Sequence, residues 1–164
     1  MDKYVRGRGG EGENWRRGEG EKYGFKYFFY IYKLAVKIFI MNIIRTHKEL
    51  DVYQLAFSTS MEIFIISKSF PREEGYSLIS QIRRSSRSVS ANLAEAFRKR
   101  RYEKAFVAKL SDSEAEAAET QVWLDYSFEC GYIEKELYQK LYEAYDKILG
   151  KLVIMINHSE KWNI

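Results

Sequence analysis

The side chains best suited to chemistry lie between residues 81 and 104, QIRRSSRSVSANLAEAFRKRRYEK, where arginines and lysines crowd among small residues. Guanidinium forks match phosphate oxygens, and clustered cations bind a polyanion by releasing its counterions. At helical pitch Arg83, Arg87, Ser90, Ala94, Arg98 and Arg101 share one narrow sector, beside a seam of Ile82, Leu93 and Phe97. Two readings of this stripe stand side by side. In the first, Arg83, Arg84, Arg87, Arg98, Lys99, Arg100 and Arg101 hold the phosphates of structured RNA without reading bases. No aromatic residues interleave the stripe, so base stacking is not part of that reading. In the second, the stripe is a solvated or inter-subunit face, and the chain is a structural or protein-interaction module. Ser90, Ala91 and Ala94 leave room for close approach by a helix, a subunit or a phosphate chain. Asn92 and Glu95 are suited to a polar network across helices with Ser88, because a buried amide without partners costs about 1–3 kcal/mol.

Other chemistry finds no constellation. Cys130 is the single cysteine, and His47 and His158, far apart in sequence, are the only candidate bases to activate it. Neither histidine has cysteine or carboxylate partners at zinc spacing. Asp112/Glu116 and Glu116/Glu119 have helical spacing, but no Glu-x-x-His repeat accompanies them, which argues against a di-metal bundle site. A phosphate-binding glycine loop and the Arg-x-x-x-x-His pattern of helical ribonucleases are both missing from the sequence. The expectation is a non-enzyme with no catalytic residue, metal or cofactor. A lone cysteine points to a reducing, cytoplasmic setting.

The formal charge of +4 is unevenly spread. Residues 1–46 carry ten Lys/Arg and five Asp/Glu, whereas residues 47–164 carry seventeen and eighteen. Within the latter, residues 81–110 hold nine basic and two acidic side chains, and residues 111–146 hold two and ten. Such alternation suits packing of opposite faces between helices or subunits, or a focused site for an anionic ligand.

The elements that position these residues are helical. Pro71 is the single proline, and few glycines follow Gly24, so long uninterrupted helices are expected. Helix one is predicted over about 48–69, burying a stripe of Leu50, Tyr53, Phe57, Met61 and Phe64. Pro71 stops it, and PREE opens helix two, which carries Ile79, Ile82, Ser86, Val89, Leu93 and Phe97 on one stripe to about Arg98. A break at 99–101 precedes helix three over 102–129, closed by Gly131. Helix four covers 134–157. These stripes predict an all-α fold, an antiparallel up-and-down four-helix bundle over residues 47–164.

Residues 1–46 form a separate leader. Residues 1–22 hold most of the glycines and no apolar periodicity, and are expected to be disordered. Residues 23–44 are almost continuously apolar and near the length of a membrane span. Lys26, Lys33 and Lys37 oppose spanning, at roughly 2.5–3.5 kcal/mol each near the bilayer centre. The segment is thus an amphipathic helix for docking or a membrane surface, a span, or an extension upstream of Met41 as natural start. A signal peptide is rejected, for no small-residue cleavage site follows.

The run LDVYQLAFSTSMEIFIISKSFPREEGYSLISQIRRSSRSVSANLAEAFRKRRYEKAF resembles the four-helix-bundle proteins encoded in intervening sequences of bacterial large-subunit (23S) ribosomal RNA genes. The resemblance covers about 47–162 and is carried by Phe70-Pro71 with Glu74, Gln81-Ile82-Arg83-Arg84, Asn92-Leu93-Ala94-Glu95 and Lys161-Trp162. It implies a closed bundle without catalytic activity that forms a homo-oligomer, pentameric in related proteins. Relatives include accessory proteins of diversity-generating retroelements, which bind nucleic acid through strong positive charge and associate with a reverse transcriptase. Here Ser85 and Ser86 stand where the family has alanines, Ala96 follows Glu95 in place of glycine, and residues 47–164 lack the relatives' excess of positive charge.

Overall fold

The computed structural model describes residues 27–34 and 44–163, and its chain divides between Ile38 and Phe39 into two units. In the first unit residues 27–34 are helical, and every side chain among them is exposed. The expectations for 1–26 and 35–43 lie outside the described residues. Among the described residues, no helix is long and apolar enough to cross a membrane.

The second unit is all-α in its described part. Its helices are α1 (Asp51–Ile66), α2 (Leu78–Lys99), α3 (Glu103–Glu129) and α4 (Lys135–Asn157), with 3-10 turns at His47–Glu49, Arg72–Tyr76 and Ser159–Lys161. α2 packs on α1 and α3, and α4 packs on α3 and α1. Cross-helix pairs give the directions. Arg84 meets Glu119 while Asn92 meets Lys109, so α2 and α3 run oppositely. Lys140 pairs with Glu62 and Lys151 with Asp51, which orients α4 against α1 in the same way. α1 and α3 thus lie diagonally, sharing both neighbours.

The core seam of α2 is as the periodicity predicts: Ile82, Val89, Leu93 and Phe97 are buried. Leu110, Ala117 and Leu124 answer from α3, with Leu141, Tyr145, Ile148 and Leu152 from α4. Much of the α2–α3 contact is polar and small. Ser113 donates to the Val89 carbonyl at 2.9 Å, and the Thr120 and Ser85 hydroxyls meet at 2.9 Å, all at buried positions. Bonded hydroxyls keep such a core tolerable, since unpaired ones would cost desolvation energy.

Helix one corrects the sequence reading. α1 buries Val52, Ala56, Thr59, Ser60 and Ile63, while Phe57 is 50% and Met61 41% exposed. α1 is apolar around much of its circumference, so periodicity alone does not choose a face. Small residues win because they let α1 settle closely against α2, where Ser86 and Ser90 are also buried.

The opening of helix two differs too. PREE lies in the 3-10 turn, and α2 begins only at Leu78. Glu74 reaches forward to accept the Leu78 amide at 3.3 Å and the Ser77 hydroxyl, so it caps α2 from outside the helix. Those contacts, led by Ser77, hold its carboxyl below its usual pKa. Gly131 closes α3 as expected, at φ +72°, with the Tyr132 amide bonded to the Ser127 carbonyl and the Gly131 amide to that of Phe128.

Candidate nucleic-acid interface

The basic residues of α2 share a helix but not a fate, since their partners divide them into three groups. Arg83 and Arg87 lean toward α1. Arg83 Nε donates to Ser67 Oγ at 2.7 Å, and both guanidinium groups lie over the Phe64 ring, at 5.0 and 5.1 Å from its centre. Ser90 is buried and Ala94 half-buried on the same side. The small residues of the stripe therefore admit the neighbouring helix α1.

Arg84 points the other way. Its Nη2 lies 3.2 Å from Glu119 Oε1 and 3.3 Å from Oε2, with Glu116 at 4.0 Å from Nη1. One oxygen of Glu116, Oε2, is buried without a hydrogen-bond partner. Burial pushes the Glu116 carboxyl above its usual pKa, which Arg84 offsets and Glu119 and Asp112 reinforce.

Asn92 and Glu95 do join across helices, through a residue the sequence did not suggest. Lys109 of α3 donates to Asn92 Oδ1 at 3.4 Å and pairs with Glu95 at 3.2 Å and Asp112 at 3.1 Å. Hydrogen bonds to Asp112 and Glu95 raise its pKa above the ordinary lysine value. Ser88 has no hydrogen bond to Asn92 or Glu95 in this cluster. A lysine eight residues beyond the arginine run gave no local signal; only the register of α3 on α2 brings it there.

The third group closes the bundle. Arg98, Lys99, Arg100 and Arg101 follow one another where α2 ends and turns into α3. Lys99 stands 3.7 Å from Glu95, one turn back. Arg100 folds onto its own helix end, donating to the Phe97 carbonyl at 2.8 Å with its guanidinium 3.8 Å from the Phe97 ring centre. Burial, then the charges of Arg98 and Arg101, depress the Arg100 pKa, although an arginine stays charged at any neutral pH. Arg98 and Arg101 are exposed, and among the described residues they meet no carboxylate. Cations at a helix C-terminus also complement its dipole, by about 0.3–1 kcal/mol each.

Antiparallel packing gathers further charge at this end. The start of α1, the start of α3 and the end of α4 bring Lys48, Lys104 and Lys161 to the end that holds Arg98–Arg101. Ser159 bonds Glu103 at 2.7 Å, and Trp162 packs 6.3 Å from the Phe106 ring centre, tying the chain's tail there. The opposite end collects Glu73, Glu74, Glu129, Glu134 and Glu136. Glu49, Asp51, Glu103 and Glu160 share the basic end, and Arg72 and Lys135 the other, so each end carries an excess of one sign, not one sign alone. His47 and His158 both sit at the basic end, while Cys130 is exposed at the far end of α3. Among the described residues, no cluster of three His, Cys, Asp or Glu side chains is arranged to hold a metal ion.

The described residues form helices and turns alone, which defines the class as all-α. The sequence model of the 23S rRNA-intervening sequence protein family matches residues 48–153, and the chain belongs to that family. A crystal structure of a protein of unknown function from the S23 ribosomal protein family of Bacteroides thetaiotaomicron is similar to it, at 27% identity and a TM-score of 0.59. That match spans 65% of this chain and 95% of the other. No curated protein matches.

Proposed function

We propose that this chain is a non-catalytic, self-assembling protein that binds the backbone of structured RNA through the basic end of its bundle. The observation that carries the reading is the run Arg98–Arg101, whose exposed members Arg98 and Arg101 have no carboxylate partner among the described residues. Arg83, Arg84 and Arg87 are assigned instead to packing and assembly, because each already has a partner on α1 or α3. Backbone contact without base reading follows from the residue types, arginine and lysine with no aromatic platform between them. The family's link to ribosomal RNA genes makes a ribosomal stem–loop the natural first ligand. A single cysteine that cannot form an internal disulfide suits a cytoplasmic site of action.

Filter binding of the full chain to such a stem–loop, across a salt titration, tests it. Affinity that falls steeply with salt, and weakens in Arg98→Ala/Arg101→Ala but not in Arg84→Ala, supports the reading. No affinity at low salt removes it.

A further inference from the structure

The turn from α2 into α3 sets an aromatic ring beside the exposed cations. The basic stripe itself holds no exposed aromatic residue, but Tyr102 follows Arg101 directly and is 66% exposed. Other rings of the bundle pair, Phe106 with Trp162 at 6.3 Å and Phe128 stacked on Tyr138 at 4.7 Å. Among the described residues no ring pairs with Tyr102, and no hydrogen bond holds its hydroxyl. We infer that Tyr102 is a stacking platform for one unpaired base of the bound RNA, whose flanking phosphates are held by Arg98, Arg101 and Lys104.

The inference rests on the RNA-binding reading above and adds the class of RNA, a helix interrupted by an unpaired nucleotide. Position is the first argument. Tyr102 is the N-cap residue of α3, and its side chain makes no capping bond. Ser, Thr, Asp and Asn are favoured there because a short side-chain oxygen accepts a free amide of the first turn. A tyrosine gives up that bond and also leaves a large ring in water. Neither capping nor packing accounts for the ring, whereas a stacked base would cover its exposed face. Rigidity is the second. The Tyr102 amide donates to the Lys99 carbonyl at 2.8 Å, and its own carbonyl accepts the Phe106 amide at 2.9 Å. The backbone that carries the ring is thus held from both helices, so little freedom remains to be lost on binding.

Charge is the third. Arg98, Arg101 and Lys104 flank Tyr102 in the chain, are exposed, and have no carboxylate partner among the described residues. Glu103, the carboxylate next to Tyr102 in sequence, gives one oxygen to Ser159 at 2.7 Å. Cations that track the backbone, with an aromatic ring among them, hold an unpaired nucleotide by its phosphates and its face. Every base has such a face, so stacking adds affinity without reading base edges and agrees with backbone-directed binding. Tyr76 gives the contrast. It is 101% exposed, but it shares its turn at the opposite end with Glu73 and Glu74, which repel a phosphate.

The test uses the full chain and three RNA duplexes of one sequence: fully paired and blunt, with one unpaired adenosine, and with an abasic unit in place of that adenosine. At low salt the wild type should bind the adenosine bulge about 5- to 150-fold more tightly than the other two. Tyr102→Ala should bring the bulge to the affinity of the paired duplex and leave the salt slope unchanged. Tyr102→Phe should keep the preference, and Tyr76→Ala should change nothing. Tyr102→Ser removes the ring but supplies a capping hydroxyl, so the same loss in this variant, with circular dichroism showing a fold as stable as the wild type, separates stacking from folding. Equal affinity of the wild type for the paired and bulged duplexes, an abasic bulge that binds as well as the adenosine, or a preference that survives Tyr102→Ala overturns stacking while backbone binding stands. No affinity for any of the duplexes at low salt overturns both.

Discussion

Ser113 of α3 donates its hydroxyl to the carbonyl oxygen of Val89 in the middle of α2, across 2.9 Å, with both residues fully buried. The bond fixes how closely and at what register the two helices meet, and that register sets Arg84 opposite Glu119 and Asn92 opposite Lys109. Ser113→Ala is expected to lower stability by about 1 kcal/mol, the net value of one such bond. Ser113→Leu should cost roughly 1–3 kcal/mol or more through overpacking at a fully buried position. Urea denaturation midpoints measure both.

Arg84 holds both oxygens of Glu119, yet its side chain remains 59% exposed. Exposed pairs contribute about 0.2–1 kcal/mol, so Arg84→Ala should fall in that range. Glu119 also accepts the Trp123 indole N–H at 3.1 Å, so Glu119→Ala costs more than its share of the pair. A double-mutant cycle over Arg84 and Glu119 isolates the coupling.

The Tyr145 side chain is wholly buried, and its contact with Thr120 falls short of a hydrogen bond. Tyr145→Phe removes an unpaired buried hydroxyl and should be neutral or stabilising by about 1 kcal/mol, read as a rise in thermal midpoint.

Burial pushes the Tyr145 hydroxyl far above its usual pKa, and a hydrogen bond to Asp125 with burial pushes Tyr138 up to about 12. A raised acid pKa means the unfolded chain releases its proton first. Stability from these tyrosines is therefore full below about pH 10 and is lost as pH rises from there through the folded values. Chemical denaturation between pH 9 and about 12 should show that fall, and Tyr138→Phe should flatten it.

Gly131 adopts φ +72° with nothing within 4 Å of where a Cβ would stand. Gly131→Ala thus meets backbone strain without a clash, and should cost about 1–2 kcal/mol. A larger loss would mean that the α3–α4 connection tolerates no adjustment.

For RNA, each phosphate contact removed should reduce the slope of log affinity against log salt by about one. Arg98→Ala and Arg101→Ala should each do so, and the double variant should lose both steps. Arg83→Ala should leave the slope alone and instead lower stability, since its guanidinium packs on Phe64 and Ser67.

How far the sequence went depends on how local each cause is. Gly131 and the seam of α2 were legible because a left-handed turn and a 3.6-residue period are written in neighbouring residues. The face of α1 was not, since Phe57 and Met61 are as apolar as Val52 and Ile63, and closeness to α2 decided the matter. Glu74 marked a helix start correctly but from outside the helix, four residues before Leu78. In sequence the basic residues read as one surface because Arg83, Arg87, Arg98 and Arg101 share a helical sector and Arg84, Lys99 and Arg100 adjoin them. Their separation into an α1-facing pair, an α3-bound Arg84 and an exposed terminal run depends on neighbours from 16 to 35 positions away in the chain.

The unequal charge of the two ends has a dynamic consequence. An excess of cations at one end and of carboxylates at the other gives the bundle a net electric moment along its length. A polyanion's field exerts a torque on such a moment, so the molecule turns its cationic end forward before any contact is made. Encounters then begin already oriented, and the association rate, more than the dissociation rate, should carry the salt dependence. Stopped-flow mixing at several ionic strengths would separate the two.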